Sequence, residues 1–259
     1  KWEAYVKDNN LYLSPVQDEK DKGKQKEEIA LTMDGTTNLR YDGGAIIWSP
    51  DSRKLATVKV RDVKERRIPL IESSPSSQKQ PILQWRDYAK PGDVLPVYLP
   101  VLFDVEARKQ MALNVTSYEN QFYLNLTGWR EDSRAFTFEF NQRGHQRYVI
   151  GEVNAADGSI RHLVDEQTKT FIYYYNNYRY DLNDGKELLW ISERDGWRHL
   201  YLIDGTNGQV KQQVTKGEWV VRQVDHVDEA GRVVYFTASG FNKGEDPYNL
   251  HYCRINLDG

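Results

Sequence analysis

Cysteine, long apolar runs and an excess of charge of one sign are all scarce in this chain of 259 residues. The single cysteine, Cys253, excludes an internal disulfide framework, and its place in the alternating segment Leu250 to Ile255 predicts a buried structural thiol. No apolar run approaches the roughly 20 residues that a membrane-spanning helix needs, and no signal peptide opens the chain. The net charge of -3 argues against a nucleic-acid partner, because the basic footprint is missing.

Catalytic and metal-binding patterns are missing as well. No serine has the flanking glycines of a G-x-S-x-G nucleophile elbow, which serine hydrolases of the α/β type use. The five histidines lie in different segments without metal-ligand spacing such as HExxH, which favours strand or turn roles. They are His145, His162, His199, His226 and His251. The sequence therefore predicts no catalytic residue, no metal site and no cofactor in this chain.

Residues 187 to 219 carry the clearest strand pattern. Leu188 to Ser192 is an apolar run, Arg194 to Gly196 is a tight turn, and His199 to Ile203 alternates as a half-buried strand does. A turn at 204 to 208 precedes a further strand from Gln209 to Thr215. Three such antiparallel strands cannot bury both faces alone, so the unit is predicted to stack against copies of itself.

Copies of this unit recur along the chain. Four similar turns separate apolar runs, at intervals of 81, 52 and 46 residues, and a second turn signal repeats 50 residues apart. The anchors are Ser52, Ser133, Gly185 and Gly231 for the first turn, and Gly158 and Gly208 for the second. A period of about 50 residues is typical of a four-stranded propeller blade. Helical periodicity is scarce, so the predicted fold class is all-β: a partial β-propeller of about five four-stranded antiparallel blades.

Five blades can be drawn on this pattern. Six of the nine prolines lie between Pro69 and Pro100, which predicts an arm that leaves the second blade. The chain starts inside a strand pattern and ends on a turn, so we expect an excised piece whose outer blades are partial. The predicted blades are 1–34 (partial), 43–116 with the arm insertion at 60–100, 120–167, 171–217 and 221–259 (partial).

Several segments, taken in order, resemble the N-terminal propeller of the dipeptidyl peptidase IV family of prolyl-specific serine exopeptidases. They are WSPDSRKLA at 48–56, IPLIESSP at 68–75, AKPGDVLPVYLPVLFDV at 89–105, and SERDGWRHLYL through VTKGEW at 192–219. The resemblance implies an arc of an eight-bladed propeller that caps an α/β-hydrolase domain encoded later in the parent chain. The catalytic serine, aspartate and histidine would lie in that domain, and this segment would limit access and position the peptide substrate.

A pair of glutamates in that family binds the free amino terminus of the substrate, because carboxylates form strong charge-assisted hydrogen bonds with an ammonium. The matching stretch here, residues 38 to 44, offers only Asp42. The upstream pair Glu27-Glu28 belongs to a charged run, Glu19 to Glu28, that is typical of a solvated loop. Three alternatives stay open: Asp42 binds the amino terminus, longer peptides are released, or peptidase function is lost.

Tyrosines cluster before the strand of the fourth blade, where the resemblance implies a connection that faces the substrate cavity. Tyrosine gives rigid contact area with a polar tip, which suits peptide binding. Packing between neighbouring blades explains the same run. The candidate substrate-binding residues here are Tyr173, Tyr174, Tyr175 and Arg179.

The proline-rich arm implies a homodimer, because the family uses an antiparallel arm from this blade for dimerisation. The arm would run from about Val60 to Tyr88, and its apolar residues alternate with polar ones that leave them exposed unless a partner covers them. The alternative is an arm that folds back over its own blade. The apolar arm residues are Ile68, Leu70, Ile71, Ile82, Leu83 and Trp85.

Two function classes follow from the sequence. The first is a noncatalytic propeller segment of a serine exopeptidase that cleaves after a penultimate proline, in the periplasm or outside the cell as the resemblance implies. The second is a propeller that serves only as a binding or scaffolding module, since a fold does not fix a function. A nucleophile elbow followed by Asp and His in the parent reading frame would separate them.

Overall fold

The structure is a computed structural model that describes residues 1–16, 27–64 and 66–258. Within these ranges the regular structure is β-strand plus three short 3₁₀ turns, and no α-helix is present. The predicted charged loop at 19 to 28 therefore falls mostly outside the described residues. The chain divides into two compact units, residues 1–46 with 57–99 and residues 47–56 with 100–259.

The first unit begins with a three-stranded antiparallel sheet in the order β1-β2-β3. Its hairpin turn uses Asp8 and Asn9, whose φ angles of 50° and 66° are both left-handed. Such a turn matches the right-handed twist of the strands that it joins, and aspartate and asparagine tolerate it best after glycine. The strands are β1 (Trp2–Lys7), β2 (Asn10–Pro15) and β3 (Ile29–Ala30).

The second sheet has the strand order β10-β9-β6-β4, with β5 also pairing β6. The arm leaves between β6 and β9 as a separate two-stranded antiparallel hairpin. The sheet strands are β4 (Leu39–Tyr41), β5 (Ile47–Trp48), β6 (Lys54–Arg61), β9 (Val97–Asp104) and β10 (Lys109–Met111). The arm strands are β7 (Arg67–Glu72) and β8 (Ile82–Asp87).

The second unit contains three more antiparallel sheets, each with its strands in chain order. The third sheet has β11 (Gln121–Trp129), β12 (Ala135–Gln142), β13 (Arg147–Asn154) and β14 (Ile160–Gln167). The fourth has β15 (Arg179–Leu182), β16 (Glu187–Ser192), β17 (His199–Asp204) and β18 (Val210–Gln213). The fifth has β19 (Val220–Asp228), β20 (Val233–Ser239) and β21 (Leu250–Asn256).

Each repeated turn has a left-handed residue at or next to its anchor, and in the third copy Asn183 and Asp184 are left-handed as well. Ser52, Ser133 and Gly185 have left-handed φ angles of 61°, 64° and 81°. In the last copy the left-handed residue is Arg232, at 52°, so this turn is displaced by one residue from the predicted anchor Gly231. Aspartate and serine side chains close these turns onto the backbone, as Asp51 does on the Arg53 N–H at 3.0 Å.

The core of the second unit lies between successive sheets. One apolar cluster joins the third and fourth sheets through Tyr148, Ile150 and Trp190, and another joins the fourth and fifth through Leu189, Leu202 and other residues. The fourth sheet is therefore buried on both faces, and every residue of β16 is buried. The five successive antiparallel sheets confirm the predicted partial β-propeller of about five blades, and the sheets of the second unit stack face to face in chain order.

Candidate functional site

A cavity of about 420 Å³ in the second unit is the main candidate site. Its walls come from the connection after β14 and from the turn between β16 and β17. The turn is the Arg194 to Gly196 turn that the sequence pattern predicted. Lining residues include three aromatic ones, Phe171, Tyr173 and Trp190. The volume falls within the roughly 300–1,000 Å³ of small-molecule sites.

One wall of this cavity is a completed hydrogen-bond network around Glu166. The Glu166 carboxylate accepts from Trp190 Nε1 at 3.2 Å, from Ser192 Oγ at 2.7 Å and from Arg194 Nη2 at 2.6 Å. The Arg194 guanidinium also lies 4.7 Å from the centre of the Tyr201 ring, at cation–π distance. Both charges are therefore satisfied within the protein, and this wall is rigid.

Other polar residues of the cavity are less completely satisfied. Arg198 donates to the backbone oxygens of Asn176, Val221 and Arg222 and pairs with no carboxylate of the described residues. Burial lowers the pKa of its guanidinium, although an arginine stays charged at any physiological pH. Asn177 Nδ2 is buried and has no hydrogen-bond partner among the described residues.

The tyrosine segment beside the cavity forms a 3₁₀ turn, Tyr174–Asn176. The Tyr174 ring stacks on His145 at 4.5 Å and on Tyr175 at 4.2 Å, and Phe122 and Tyr123 lie within 6.0 Å of it. Burial, followed by the hydrogen bond with Tyr175, raises the pKa of Tyr174 to about 12. Tyr174 is thus a packed support and not a free binding surface.

The two tyrosines on either side of Tyr174 are exposed. Tyr173 and Tyr175 are 52% and 76% exposed, and their ring centres lie 6.3 Å apart. Large aromatic side chains held on a rigid support lose little conformational entropy when a ligand covers them. Tyr174 therefore packs against residues of the third sheet, while Tyr173 and Tyr175 face solvent.

Arg179 lies at the start of β15 and faces a different cavity from Tyr173. Its guanidinium binds both carboxylate oxygens of Asp181 at 2.6 Å. It also contacts the hydroxyls of Thr127 and Thr137 in the third sheet, each at 3.2 Å. This arrangement joins two sheets and leaves the guanidinium with its charge already compensated.

Asp42 belongs to the first unit and precedes the 3₁₀ turn Gly43–Ala45. Its carboxylate accepts from the Gly44 N–H at 2.9 Å, as an N-cap does, and its backbone oxygen accepts from Thr57 Oγ1 at 2.6 Å. Among the residues that the structure describes, the other carboxylate oxygen of this half-buried residue has no hydrogen-bond partner. The upstream Glu28 carboxylate is occupied by Lys7 at 2.6 Å and Tyr5 at 2.8 Å.

Sequence reasoning missed the polar residues of the cavity. Glu166, Arg194 and Arg198 were present in the patterns, but only as parts of strands or of the SERDGWRH segment. Because Glu166 and Arg194 pair across 28 residues and the acceptors of Arg198 lie 22 to 24 residues away, spacing along the chain gave no signal for them. Among the described residues, no group of three histidine, cysteine or acidic side chains could hold a metal ion. No helix within that part of the chain is long and apolar enough to span a membrane.

Comparison with known proteins places the chain in a family. The model of the dipeptidyl peptidase IV (DPP IV) N-terminal region matches residues 1–259. Dipeptidyl peptidase 4 of Arthroderma otae is 26% identical over 92% of the chain, and dipeptidyl peptidase 4 of Trichophyton rubrum is 25% identical over 92%. In both cases the match covers 32% of the relative, so the chain spans about a third of their length.

The fold agrees with this assignment. The crystal structure of Porphyromonas gingivalis dipeptidyl peptidase 4 superposes with a TM-score of 0.70, covering 100% of this chain and 36% of that one at 18% identity. At such an identity the likeness shows the fold, whereas the sequence match over all 259 residues shows the family. This chain belongs to the family of the dipeptidyl peptidase IV N-terminal region.

Proposed function

We propose that this chain is the noncatalytic propeller segment of a DPP IV-like serine exopeptidase, where it positions peptide substrates and limits access to the reaction centre. The observation that carries the proposal is the pair of exposed tyrosines, Tyr173 and Tyr175, on the rigid support of Tyr174 beside a cavity of about 420 Å³. Peptides with a penultimate proline are the expected substrates, as the resemblance to this family implies, and aromatic faces suit the packing of proline rings.

The catalytic step is assigned to a C-terminal α/β-hydrolase domain of the parent chain. The family membership and the one-third coverage of the relatives support this division, since most of their length lies outside the matched region. The sequence of this segment holds no nucleophile elbow. The segment then contributes to substrate binding and selectivity, with no cofactor.

The candidate substrate-binding residues differ in what they can do. Tyr173 and Tyr175 offer ring faces to the peptide, and Tyr174 holds them in place. Asp42 offers one carboxylate oxygen to an amino terminus. Arg179 would have to bind substrate through a guanidinium that Asp181 already holds.

The arm is proposed as a homodimer contact. Leu70, Ile71, Leu83 and Trp85 on the hairpin of β7 and β8 are all exposed in the single chain, and a second copy would bury them. A cavity of about 530 Å³ at the base of the hairpin, beside Tyr88 and Val94, adds apolar area that a partner could fill. An extracellular or periplasmic location follows from the family assignment as part of the same proposal.

The test uses the full-length protein and two series of Xaa-Pro peptides, one with a free amine and one with an acetylated amine. We expect hydrolysis of the free-amine series, and Asp42→Asn should lower kcat/KM for it by about tenfold, the worth of one charge-assisted hydrogen bond. Glu28→Gln is the matched control and should leave kcat/KM unchanged. Equal turnover of both series would remove Asp42 from the site, and no hydrolysis at all would favour a scaffolding module.

A further inference from the structure

The cavity beside Tyr173 holds four charged side chains, and they divide into two that are satisfied and two that are not. Glu166 and Arg194 neutralise each other at 2.6 Å within the network described above. Glu193 and Arg198 also line the cavity, and neither forms an ion pair with any residue that the structure describes. The cavity therefore carries one carboxylate and one guanidinium that have no ion-pair partner among the described residues.

Arg198 retains unused hydrogen-bond donors. A guanidinium has five N–H groups, and the three hydrogen bonds to backbone oxygens occupy three of them. Carbonyl oxygens fix the position of the group but bring no negative charge. A partly buried guanidinium that forms no ion pair is a suitable site for a carboxylate, because bidentate hydrogen bonds then add to the Coulomb attraction.

Asn177 adds a second donor to the same cavity. Its Nδ2 atom is buried and lacks a partner, a state that costs free energy in a folded protein unless water or a ligand supplies the acceptor. Asn177 directly follows Asn176, whose backbone oxygen receives one of the Arg198 hydrogen bonds. Asn177 and Arg198 therefore line the same cavity, and Arg198 is bound to the residue that precedes Asn177.

Glu193 supplies the opposite charge. Its exposed carboxylate accepts no hydrogen bond from any residue that the structure describes, while its charge acts on Arg198 without forming an ion pair at 4 Å or less. A ligand with only one charge would leave the other cavity charge uncompensated. A ligand that carries an ammonium and a carboxylate compensates both.

We propose that this cavity binds a short peptide with both ends free, of about dipeptide size. Its carboxylate would bind Arg198 and Asn177, its ammonium would bind Glu193, and an apolar side chain would pack against Phe171 and Tyr173. The cavity volume of about 420 Å³ accommodates a ligand of this size. Dipeptides are what the proposed enzyme releases, and the inference rests on that proposed function only for this choice of peptide.

The experiment measures binding of alanyl-phenylalanine to the full-length protein by isothermal titration calorimetry, beside its N-acetyl and C-amide forms. We expect the free dipeptide to bind about tenfold or more tightly than either blocked form, since each charge-assisted hydrogen bond contributes about that factor. Free phenylalanine, which carries both charges at a shorter separation, should bind more weakly than the dipeptide.

Two variants test which cavity residues bind the ammonium and the carboxylate of the dipeptide. Glu193→Gln should abolish the preference for a free amine and keep the preference for a free carboxylate. Asn177→Asp adds a carboxylate to the cavity that Arg198 also lines and should abolish the preference for a free carboxylate. Glu131→Gln, at an exposed position outside the cavity lining, is the matched control and should change neither preference. Circular dichroism and denaturant unfolding verify that each variant folds.

Binding that ignores blocked ends, or that all variants keep, would overturn the inference. Peptide hydrolysis is measured on the same samples, so the two proposals can fail separately. Loss of end-specific binding with normal hydrolysis would remove this site alone. End-specific binding by a protein that hydrolyses no peptide would remove the proposed peptidase function alone.

Discussion

Trp190 in the fourth sheet and Trp85 in the arm hairpin are the same residue in the same kind of antiparallel strand, yet their environments are opposite. Trp190 is 1% exposed and packs between the third and fourth sheets, with its indole N–H bound to Glu166. Trp85 is 58% exposed in the single chain. The strand pattern is therefore common to both regions, and what differs is whether a neighbouring sheet covers the face.

Apolar residues contribute to different properties in the two regions, to stability in the fourth sheet and to partner binding in the arm. In the fourth sheet, apolar residues stabilise the fold because both faces leave water. In the arm, similar residues stay in water within one chain, so any free energy that they contribute is available for binding a partner. The Arg147–Asp165 pair of the third sheet and the Arg67–Asp87 pair of the arm show a smaller difference of the same kind, since the side chains of the first pair are 24% and 27% exposed and those of the second 62% and 48%.

The largest expected effect comes from the two tryptophans. Trp190→Ala should lower the free energy of unfolding by about 3–5 kcal/mol, because it leaves a cavity between two sheets and removes a hydrogen bond. Trp85→Ala should change it by less than about 0.5 kcal/mol. Urea unfolding followed by circular dichroism measures both. Similar losses of unfolding free energy in the two variants would contradict the claim that only Trp190 stabilises the fold.

The second prediction concerns the repeated turn before β16. Gly185 has a φ of 81°, and a Cβ atom there would lie 2.0 Å from Nη1 of the buried Arg130. Gly185→Ala should therefore destabilise the fold by about 2 kcal/mol or more, through backbone strain and displacement of Arg130. Gly144→Ala is the matched control, since its φ of 95° is also left-handed but nothing lies within 4 Å. It should cost only about 1 kcal/mol, and equal losses would show that the Arg130 contact is unimportant.

The strands and the repeat were predictable from the sequence because they depend on local alternation and on turn residues. The pattern around Leu188 and His199 located β16 and β17 within one residue. The sequence did not predict that Tyr174 packs while Tyr173 and Tyr175 are exposed, because this depends on contacts with His145 and Phe122 of the third sheet. The roles of Glu166 and Arg198 in the cavity were not predictable for the same reason, since their hydrogen-bond partners Trp190 and Arg222 lie on other strands.

The third prediction sharpens the comparison at the arm. Trp85→Ala should weaken a dimer of the full-length protein by about 2 kcal/mol or roughly 30-fold in Kd, as an aromatic anchor at an interface does. Analytical ultracentrifugation over a concentration series measures the shift. Trp2→Ala, at another partly exposed tryptophan of the first unit outside the arm, is the control. If the Trp85→Ala variant dimerises as tightly as the wild type, or if the wild type is a monomer, the arm is not the dimer contact.

The smallest effect concerns acid stability. Burial alone would raise the pKa of Asp165, but hydrogen bonds from Arg147, His162 and Gln167 hold it well below its usual range. A carboxyl whose folded-state pKa is depressed stabilises the fold above its unfolded pKa of about 3.9, and this stabilisation is lost as the pH falls further. Asp165→Asn should therefore flatten the loss of stability between about pH 5 and pH 2. An Asp165→Asn variant that loses stability between these pH values as steeply as the wild type would contradict this account of Asp165.

The most direct test of the central claim compares the wild-type full-length protein with the Tyr173→Ala/Tyr175→Ala double variant on a free-amine Xaa-Pro peptide. If this segment binds peptide and takes no part in bond cleavage, KM should rise by about tenfold while kcat stays within about twofold. A large fall in kcat at unchanged KM would place these tyrosines in the chemical step. Unchanged kinetic constants would show that peptides do not touch this surface, and either result would contradict the account.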